Sequence, residues 1–397
     1  MQVSENVRQI EGSSTLAIAA LCRELRAKGR DVIDLGVGEP DFRTPEFIAQ
    51  AGIASIEEGM TQYTPVAGIP ALRDAIAHAL ASAVGKRVDP AGVVVTSGAK
   101  QALFNVCFTL FGPGDEVLLP VPYWTSYPAL IKLARAEPRF VVTTAQQGFK
   151  VTVSDLERAN SPRVRGLILN SPSNPTGAVY TREELATIAA WAAQRGIWII
   201  SDEIYGRICF TAPRAASLLD VVDSLDLSVV VNGASKTYAM TGWRLGFSYT
   251  SRALADKLTA LQSQITSGAS SPAQYAATAA YQDIALADAA ARAMASVFRV
   301  RRDNVLEQLR EHAPEMYCFP PDGAFYLFVR VDQYFSERAR DSNAFCRWLL
   351  EETDVALVPG SAFGDDAFAR LSIAAPNAAL EEAVHRMGAL LHATARA

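Results

Sequence analysis

Short apolar runs recur along the first 280 residues of this 397-residue chain, and amphipathic stretches with helical spacing separate them. Each run is only three or four residues long, is rich in Val, Ile and Leu, and leads into a polar turn. Short apolar strands that alternate with helices are typical of a mainly parallel sheet covered on both faces. The four clearest runs are residues 93–95, 166–169, 197–200 and 228–231.

The segments between these runs carry helix signals. Residues 100–111 are amphipathic and follow the first run directly. Thr181 and Glu184 have the spacing of a capping box, in which each side chain accepts a hydrogen bond from the other residue's backbone N–H. Gly196 then provides a residue that readily ends a helix. The pattern therefore predicts helices at 100–111 and from Thr181 to Gly196.

The pattern changes after about residue 280. An Ala- and Arg-rich stretch at 283–312 predicts a long helix, and GAFYLFVRV predicts a strand with alternating faces. Further helices are expected at 342–352 and 378–391, and a first strand-like run lies at 32–35. These elements indicate a second, smaller unit of helices and strands.

Both chain ends are expected to build this second unit, because the first strand-like run precedes the runs of the large sheet. We predict an α/β large domain over residues 46–282, with a mainly parallel sheet covered by helices. Residues 1–45 and 283–397 are then expected to form a smaller α+β domain.

Charge and cysteine usage narrow the class of protein. Lys plus Arg number 37 against 42 Asp plus Glu, a formal net charge of −5, which argues against a binder of nucleic acid or anionic membranes. The five cysteines are widely spread without a Cys-x-x-Cys pair, so we expect reduced, buried thiols of a cytoplasmic protein. The N-terminal segment lacks the apolar core of a secretory signal, and no apolar run is long enough to cross a bilayer.

Unusual polar residues follow all four apolar runs. Because ligands of open α/β sheets bind beyond the carboxyl ends of the strands, these residues are expected to share one site. A lysine, a carboxylate, a tyrosine, an asparagine and an anion-binding helix N-terminus suit pyridoxal phosphate. An amine attaches this cofactor covalently, and a carboxylate keeps its pyridine nitrogen protonated. The polar segments are residues 97–100, 170–174, 202–205 and 234–236.

The motifs that contain these residues resemble the class I pyridoxal-phosphate aminotransferases. The resemblance is strongest to the bacterial aspartate aminotransferase branch, and it extends from VGEPDF near residue 38 to RLSIA near residue 371. It implies a fold type I transferase that moves the amino group of an L-amino acid to a 2-oxo acid by a ping-pong mechanism. The matching motifs are SGAKQALFN, VPYWTSYP, NSPSNPTGAVY, SDEIYGR, GASKTYAMTGWRLGF and ARLSIA.

The resemblance assigns the catalytic roles residue by residue. Lys236, in SKTYAMTGWR, is the lysine that attaches the cofactor and shuttles the proton. Asp202 pairs with the pyridine nitrogen, and Tyr205 reaches the phenolic oxygen of the ring together with Asn174. Lys236, Asp202 and Tyr205 are therefore the expected catalytic residues.

The resemblance also assigns the residues that hold the rest of the cofactor. Arg244, in GWRLG, binds the phosphate together with the backbone N–H groups of Gly98 and Ala99. Trp124 stacks on the ring, and Ser235 completes the cofactor site next to the attaching lysine.

Substrate binding and assembly follow from the same resemblance. Arg370, in RLSIA, holds the substrate α-carboxylate as a bidentate fork, and the Gly38 backbone, Trp124 and Asn174 face the substrate. Tyr63 is expected to reach the phosphate of the neighbouring subunit. The resemblance therefore implies a homodimer with shared sites.

Lys100 decides the expected amino donor. It lies at the start of a predicted helix, where the helix dipole favours anions and not a cation, so a ligand anion is expected nearby. In the resembling aspartate aminotransferases the lysine of GGKQ or GAKQ meets the distal carboxylate of the substrate. We therefore predict a dicarboxylic donor, aspartate before glutamate, with 2-oxoglutarate or oxaloacetate as the acceptor.

One N-terminal departure leaves a second specificity open. Relatives that also accept prephenate carry a lysine in a Lys-Pro-Ser motif, where this chain has Glu11-Gly12-Ser13. The acid argues against prephenate as a substrate. It leaves an aminotransferase for aromatic or other neutral amino acids as the alternative.

Two other function classes compete with these. Ser97 and Lys100 match the Ser-x-x-Lys pattern of serine acyl hydrolases, although the companion Ser-Asp-Asn and Lys-Thr-Gly motifs are missing. A non-catalytic sensor of the same fold would carry a DNA-binding domain, and only ~40 residues precede the sheet domain. No metal and no catalytic histidine are expected, since metal-ligand spacing is missing among His78, His312, His385 and His392.

Overall fold

The computed structural model describes residues 4–8, 10, 12 and 14–394. Glu11 and Ser13, on which the prephenate argument depends, lie outside the described residues. Within the described part, no helix is long and apolar enough to cross a membrane. All five cysteines are buried and free, as the sequence predicts.

The strands are short, and most of their residues are buried. In the described part of the chain they are β1 (Ile33–Asp34), β2 (Val93–Thr96), β3 (Glu116–Val121), β4 (Glu137–Val142), β5 (Val164–Asn170), β6 (Trp198–Asp202), β7 (Ser228–Gly233), β8 (Gly246–Tyr249), β9 (Tyr326–Arg330), β10 (Val355–Ala356), β11 (Val358–Pro359) and β12 (Phe368–Ser372).

Seven strands form the central sheet, in the order β2-β8-β7-β6-β5-β3-β4. Neighbouring strands run parallel, except that β8 is antiparallel to both β2 and β7. Separate apolar clusters cover the two faces, which explains why β2, β6 and β7 are apolar along most of their length. The predicted mainly parallel α/β sheet is confirmed. The apolar-run pattern does not predict β8, which is half glycine and polar residues.

Helices connect and cover the strands. The α-helices of the described chain are α1 (Glu5–Arg8), α2 (Ser14–Ala27), α3 (Glu46–Glu57), α4 (Pro70–Val84), α5 (Ala99–Leu110), α6 (Tyr127–Leu133), α7 (Val153–Ala159), α8 (Arg182–Arg195), α9 (Ala234–Thr237), α10 (Arg252–Ile265), α11 (Ser271–Gln282), α12 (Ile284–His312), α13 (Ser342–Thr353) and α14 (Asn377–Thr394).

The predicted end signals of α8 are confirmed. The Thr181 hydroxyl accepts from the Glu184 N–H at 3.2 Å, and Glu184 accepts in return from the Thr181 N–H at 2.8 Å. Gly196 follows the helix with a φ of 66°, a left-handed conformation that glycine adopts without steric cost. Helix α5 begins and ends one residue earlier than the amphipathic pattern predicts.

A second group of strands lies outside the central sheet. Strands β9, β11 and β12 form an antiparallel sheet, and β1 pairs in parallel with β10, which joins the N-terminal segment to the C-terminal part of the chain. The strand predicted in GAFYLFVRV is present as β9, and its first four residues are all buried. Phe328 packs into one apolar cluster and its neighbours into another, so both faces are covered. The domain boundaries at residues 46–282 stay a prediction.

Candidate active site

A cavity of about 510 Å³ lies where β5, β6 and β7 end and α5 begins, and β9 and β12 reach the same place from the second sheet. Strand ends of a parallel sheet meet at one edge, so the predicted polar segments converge as expected. Most of the predicted site residues line this cavity: Gly38, Ala99, Lys100, Trp124, Asn174, Asp202, Tyr205, Ser235, Lys236, Arg244 and Arg370.

Lys236 lies on the short helix α9 directly after β7. The turn into this helix is tightly packed, because a Cβ on Gly233 would lie 2.8 Å from the backbone of Gly246. The Lys236 ammonium donates a hydrogen bond to the carbonyl of Gly38. Burial lowers the pKa of this amine to about 8, so a substantial fraction is neutral near physiological pH. A neutral amine is the form that attacks a carbonyl carbon.

Asp202 ends β6 as a buried carboxylate. The Tyr127 hydroxyl donates to Asp202 Oδ2 at 2.7 Å, and the Ile204 N–H donates to Oδ1 at 3.1 Å. Burial raises the pKa of the Asp202 carboxyl to about 6, against the lowering effect of these two donors. No cation forms an ion pair with Asp202 in the described chain. A buried carboxylate of this kind fits a cationic ligand group such as a protonated pyridine nitrogen.

The N-terminus of α5 and Arg244 form a cradle for an anion. Gly98 precedes the helix with a φ of 88°, and a Cβ there would lie 2.5 Å from Arg244 Nη2. The guanidinium therefore contacts bare backbone, which only glycine permits. Arg244 Nη1 donates to the carbonyl of Thr241 at 2.8 Å. Backbone N–H groups at a helix start, next to a guanidinium, fit a phosphate group.

Arg370 lies on β12 and is buried. Its Nη1 donates to Asn174 Oδ1 at 3.0 Å, and its Nη2 donates to the carbonyl of Gly36 at 2.7 Å. The buried Nε has no hydrogen-bond partner in the described chain. Burial lowers the pKa of the guanidinium, which marks the cost of keeping this cation out of water. A buried guanidinium that lines the cavity fits a carboxylate ligand.

Asn174 and Tyr205 reach the cavity from two neighbouring strand ends. The Asn170 side chain fixes the Asn174 loop, since its Oδ1 accepts from the Asn174 N–H at 2.8 Å and its Nδ2 donates to the Asp202 carbonyl at 3.0 Å. The Tyr205 hydroxyl lies 2.9 Å from the hydroxyl of Tyr326. Burial raises the pKa of Tyr205 well above its usual value, so this group stays a hydrogen-bond donor.

Lys100 projects over the mouth of the cavity. Its Nζ lies 5.0 Å from the ring centroid of Trp124, and Trp124 packs edge-on against Tyr127 at 5.3 Å. Burial lowers the pKa of the Lys100 ammonium, and the nearby Arg244 lowers it further. No carboxylate forms an ion pair with Lys100 among the described residues. Lys100 and Arg244 are therefore two neighbouring cations that line the same cavity.

Two predicted residues lie elsewhere. Gly98 stands behind the lining, against Arg244, and Tyr63 is fully exposed outside the cavity of its own chain. Ser97 does not line the cavity, although Lys100 does, so the hydrolase alternative gains no support. None of the four histidines lines it either, and no cluster of metal-ligating side chains occurs in the described parts of the chain.

Sequence reasoning missed several lining residues. Tyr127 lies inside the PYWTSYP motif, and its position directly after the polar turn of Thr125 and Ser126 gives no sign that it meets Asp202. Tyr326 lies on β9, and a strand pattern alone does not show that this residue faces the cavity. Glu39 and Thr241 line the cavity rim and are joined by a hydrogen bond of 2.5 Å.

The fold and the cavity define the class of protein, a fold type I transferase in which a lysine and a buried carboxylate meet at the strand ends. The family model for aminotransferases of class I and II matches residues 30–387. The chain belongs to this aminotransferase family.

Similar proteins agree with this placement. The chain is 41% identical to an aspartate aminotransferase of Geobacillus stearothermophilus, over the whole length of both chains. It is 42% identical to one of Streptomyces avermitilis, over 98% of this chain and 96% of that one. A solved aspartate aminotransferase from Thermus thermophilus with maleate superposes with a TM-score of 0.93 at 35% identity, over 98% of this chain and 100% of that one. The resemblance stated from the motifs is thereby confirmed.

Proposed function

We propose that this aminotransferase uses pyridoxal 5'-phosphate and moves the amino group of L-aspartate to a 2-oxo acid such as 2-oxoglutarate, by a ping-pong mechanism. The reaction class follows from the family, and the donor set of the cavity supports the cofactor. The position of Lys100 carries the choice of aspartate. Relatives that bear the name aspartate aminotransferase support the same choice.

The residues present fit the cofactor at each end. Asp202 is a buried carboxylate that has no ion-pair partner among the described residues, so it fits a cationic ring nitrogen. Lys236 supplies the amine for covalent attachment. The backbone of Gly98 and Ala99 together with Arg244 would hold the phosphate, and Ser235 lines the same cavity. When bound, the cofactor supplies an electron sink for the bonds at the substrate α-carbon.

The remaining residues orient the substrate and the ring. Trp124 borders the cavity as a stacking surface, and Tyr205 with Asn174 offers a hydroxyl and an amide to the phenolic oxygen of the cofactor. Arg370 would bind the α-carboxylate through its guanidinium, beside the Gly38 backbone. Lys236 can then take the α-proton and return it, because burial lowers its pKa toward the operating pH.

Aspartate is favoured because a second cation faces the same opening. Arg370 and Lys100 both line the cavity, and Lys100 has no acidic partner in the described chain. A substrate with two carboxylates can satisfy both cations, whereas a neutral amino acid leaves the ammonium at the helix start of α5 unpaired. The neighbour from Thermus thermophilus was solved with maleate, which is itself a dicarboxylate.

The Lys100→Ala variant tests the substrate choice. Loss of one charge pairing should lower the kcat/KM for aspartate ~10-fold or more, about 1.4 kcal/mol. Alanine and phenylalanine as donors should change little, because neither carries a second carboxylate. The measurement compares kcat/KM for the three donors in wild type and variant, and Lys257→Ala on the exposed face of α10 serves as the control.

Two outcomes would contradict the proposal. Equal losses for aspartate and alanine would make Lys100 a scaffold residue. A wild-type preference for phenylalanine over aspartate would favour the alternative, an aminotransferase for aromatic or other neutral amino acids.

We further propose a homodimer in which each subunit completes the site of the other. Tyr63 is fully exposed and does not line the cavity of its own chain, as expected of a residue that serves the site of a second copy. Ile53, Ile56 and Met60 are also exposed on α3 and the loop that follows it. Exposed apolar side chains that cluster beside a site residue are typical of a subunit interface.

Mixing two inactive variants tests this arrangement. In a mixed dimer of Tyr63→Ala and Lys236→Ala subunits, one site has both residues intact and the other has neither. Mixing equal amounts after dissociation should restore about a quarter of wild-type activity, since half the dimers are mixed and each has one good site. Either variant treated alone in the same way is the control. Failure to recover activity, or an active monomer in sedimentation, would contradict shared sites.

We also propose a cytoplasmic location and a division of the chain into two domains. Five free, buried cysteines are typical of a reducing compartment, and we place the enzyme in the cytoplasm on that basis. The pairing of β1 with β10 supports a small domain built from residues 1–45 and 283–397 beside a large domain at 46–282.

A further inference from the structure

Tyr326 is a buried lining residue that the proposed function leaves without a role. It is the first residue of β9 and is only 1% exposed. Its hydroxyl lies 2.9 Å from the hydroxyl of Tyr205, and its ring lies 4.4 Å from the guanidinium carbon of Arg370. One side chain therefore contacts a residue proposed for the cofactor and a residue proposed for the substrate.

We propose that Tyr326 is a positioning residue with two separable parts. Its hydroxyl directs the hydroxyl proton of Tyr205 toward the phenolic oxygen of the cofactor, and its ring holds the guanidinium of Arg370 in the orientation that receives the α-carboxylate. This inference rests on the proposed roles of Tyr205 and Arg370.

The Tyr326 hydroxyl is proposed to determine where the hydroxyl proton of Tyr205 points. A tyrosine hydroxyl has a single proton to donate and can also accept. When Tyr326 donates to Tyr205, the proton of Tyr205 remains free for a ligand oxygen in the cavity. Burial raises the pKa of both hydroxyls, so both groups keep their protons. Hydrogen bonds in such a chain polarise one another, which makes Tyr205 a stronger donor than it would be alone.

The Tyr326 ring is proposed to hold the guanidinium of Arg370 in a fixed orientation by contact with it. The guanidinium carbon of Arg370 lies over two aromatic rings, 4.4 Å from the centroid of Tyr326 and 5.1 Å from that of Phe363. The rings restrain the plane of the guanidinium, while Asn174 and the Gly36 carbonyl fix its two Nη atoms. A cation that contacts aromatic rings in a buried site is held more firmly than one at the surface. Loss of the Tyr326 ring should therefore let the guanidinium of Arg370 move away from the orientation that binds the α-carboxylate.

Two substitutions separate the parts. Tyr326→Phe removes the hydroxyl and keeps the ring, whereas Tyr326→Leu removes both. Tyr281→Phe is the matched control, because Tyr281 is also a buried tyrosine and does not line the cavity.

The hydroxyl is tested by titration of the cofactor absorbance of the purified holoenzyme against pH. A weaker donor at the phenolic oxygen favours its protonated form, so the apparent pKa of the chromophore should rise by roughly 0.3–0.7 pH units in Tyr326→Phe. The same substitution in a Tyr205→Phe background should add no further shift, since its effect passes through Tyr205. An unchanged pKa in the single variant, or an equal shift in both backgrounds, would overturn this part.

The ring is tested by steady-state kinetics with several donors. Tyr326→Phe should leave KM for aspartate and alanine near the wild-type values. Tyr326→Leu should raise KM for both by roughly 5-fold or more, because every amino donor carries the α-carboxylate. A rise for aspartate alone, or equal rises in the Phe and Leu variants, would overturn it.

Failure of the proposed function has a different signature. A wild-type protein that shows no cofactor absorbance after incubation with pyridoxal 5'-phosphate would refute the cofactor itself. A bound chromophore with no response to either substitution would refute only the role of Tyr326. Should the Leu variant not fold, the titration of Tyr326→Phe in the two backgrounds still decides the hydroxyl part.

Discussion

Substitution of Lys236 by alanine should abolish transamination while the protein stays folded and binds the cofactor without a covalent bond. Lys236 is proposed both to attach the cofactor and to move the α-proton, so two steps fail together. Loss of proton transfer alone is expected to lower kcat by roughly 10²–10⁴-fold. The fold should tolerate the change, because within the described residues the side chain donates only to the Gly38 carbonyl, and its buried ammonium is costly to keep charged.

The measurement combines turnover with the chemistry of attachment. Borohydride should fix the cofactor to the wild-type chain and raise its mass, and it should leave the mass of Lys236→Ala unchanged. Lys100→Ala is the control, since Lys100 is the second lysine of the cavity lining and should still permit attachment at Lys236. Near wild-type turnover in the Lys236 variant would contradict the assignment.

The part of the site that lies on the central sheet could be predicted from the sequence. Lys236 and Asp202 each follow a short apolar run, and parallel strands bring their carboxyl ends to one edge. No knowledge of side-chain contacts is needed to place these two together. The charge of Asp202 indicates the kind of ligand, because a carboxylate at the end of a buried strand requires a cationic partner.

The site residues that lie outside the ends of the central strands could not be predicted from the local sequence pattern alone. Arg370 lies on β12 of the second sheet, and only tertiary packing brings it against Asn174, so the motif resemblance identified it and periodicity could not. Tyr127 and Tyr326 were missed for a similar reason: their burial depends on what covers them, which one strand or one turn of helix does not reveal. Tyr63 is exposed in a single chain, and its role depends on a second copy.

Substitution of Asp202 by asparagine should lower turnover by roughly 10- to 100-fold with little change in KM. The loss of a charge-assisted hydrogen bond costs about 1.5–3 kcal/mol, and here it falls on the step that needs a protonated pyridine nitrogen. Asparagine keeps the shape and the local hydrogen bonds, since its oxygen can accept from the Ile204 N–H and its amide can donate to the Tyr127 hydroxyl. A change in KM alone would mean that Asp202 does not face the pyridine nitrogen.

The same substitution should have the opposite effect on the stability of the cofactor-free protein. Burial raises the pKa of Asp202 to about 6 in the folded state, above the ordinary carboxyl value near 4. As pH rises from about 4 to 6, the unfolded chain releases a proton that the folded chain retains, so the wild type loses up to roughly 3 kcal/mol that Asp202→Asn keeps. Urea unfolding at about pH 4 and pH 7.5 should show the stability advantage of the variant only at the higher pH. Asp220→Asn is the control with the reverse sign, because Asp220 accepts two hydrogen bonds of 2.7 Å from Arg214. A variant less stable than wild type at pH 7.5 would show that the charge of Asp202 already has a partner within the chain, and the buried carboxylate would then not be held for a ligand cation.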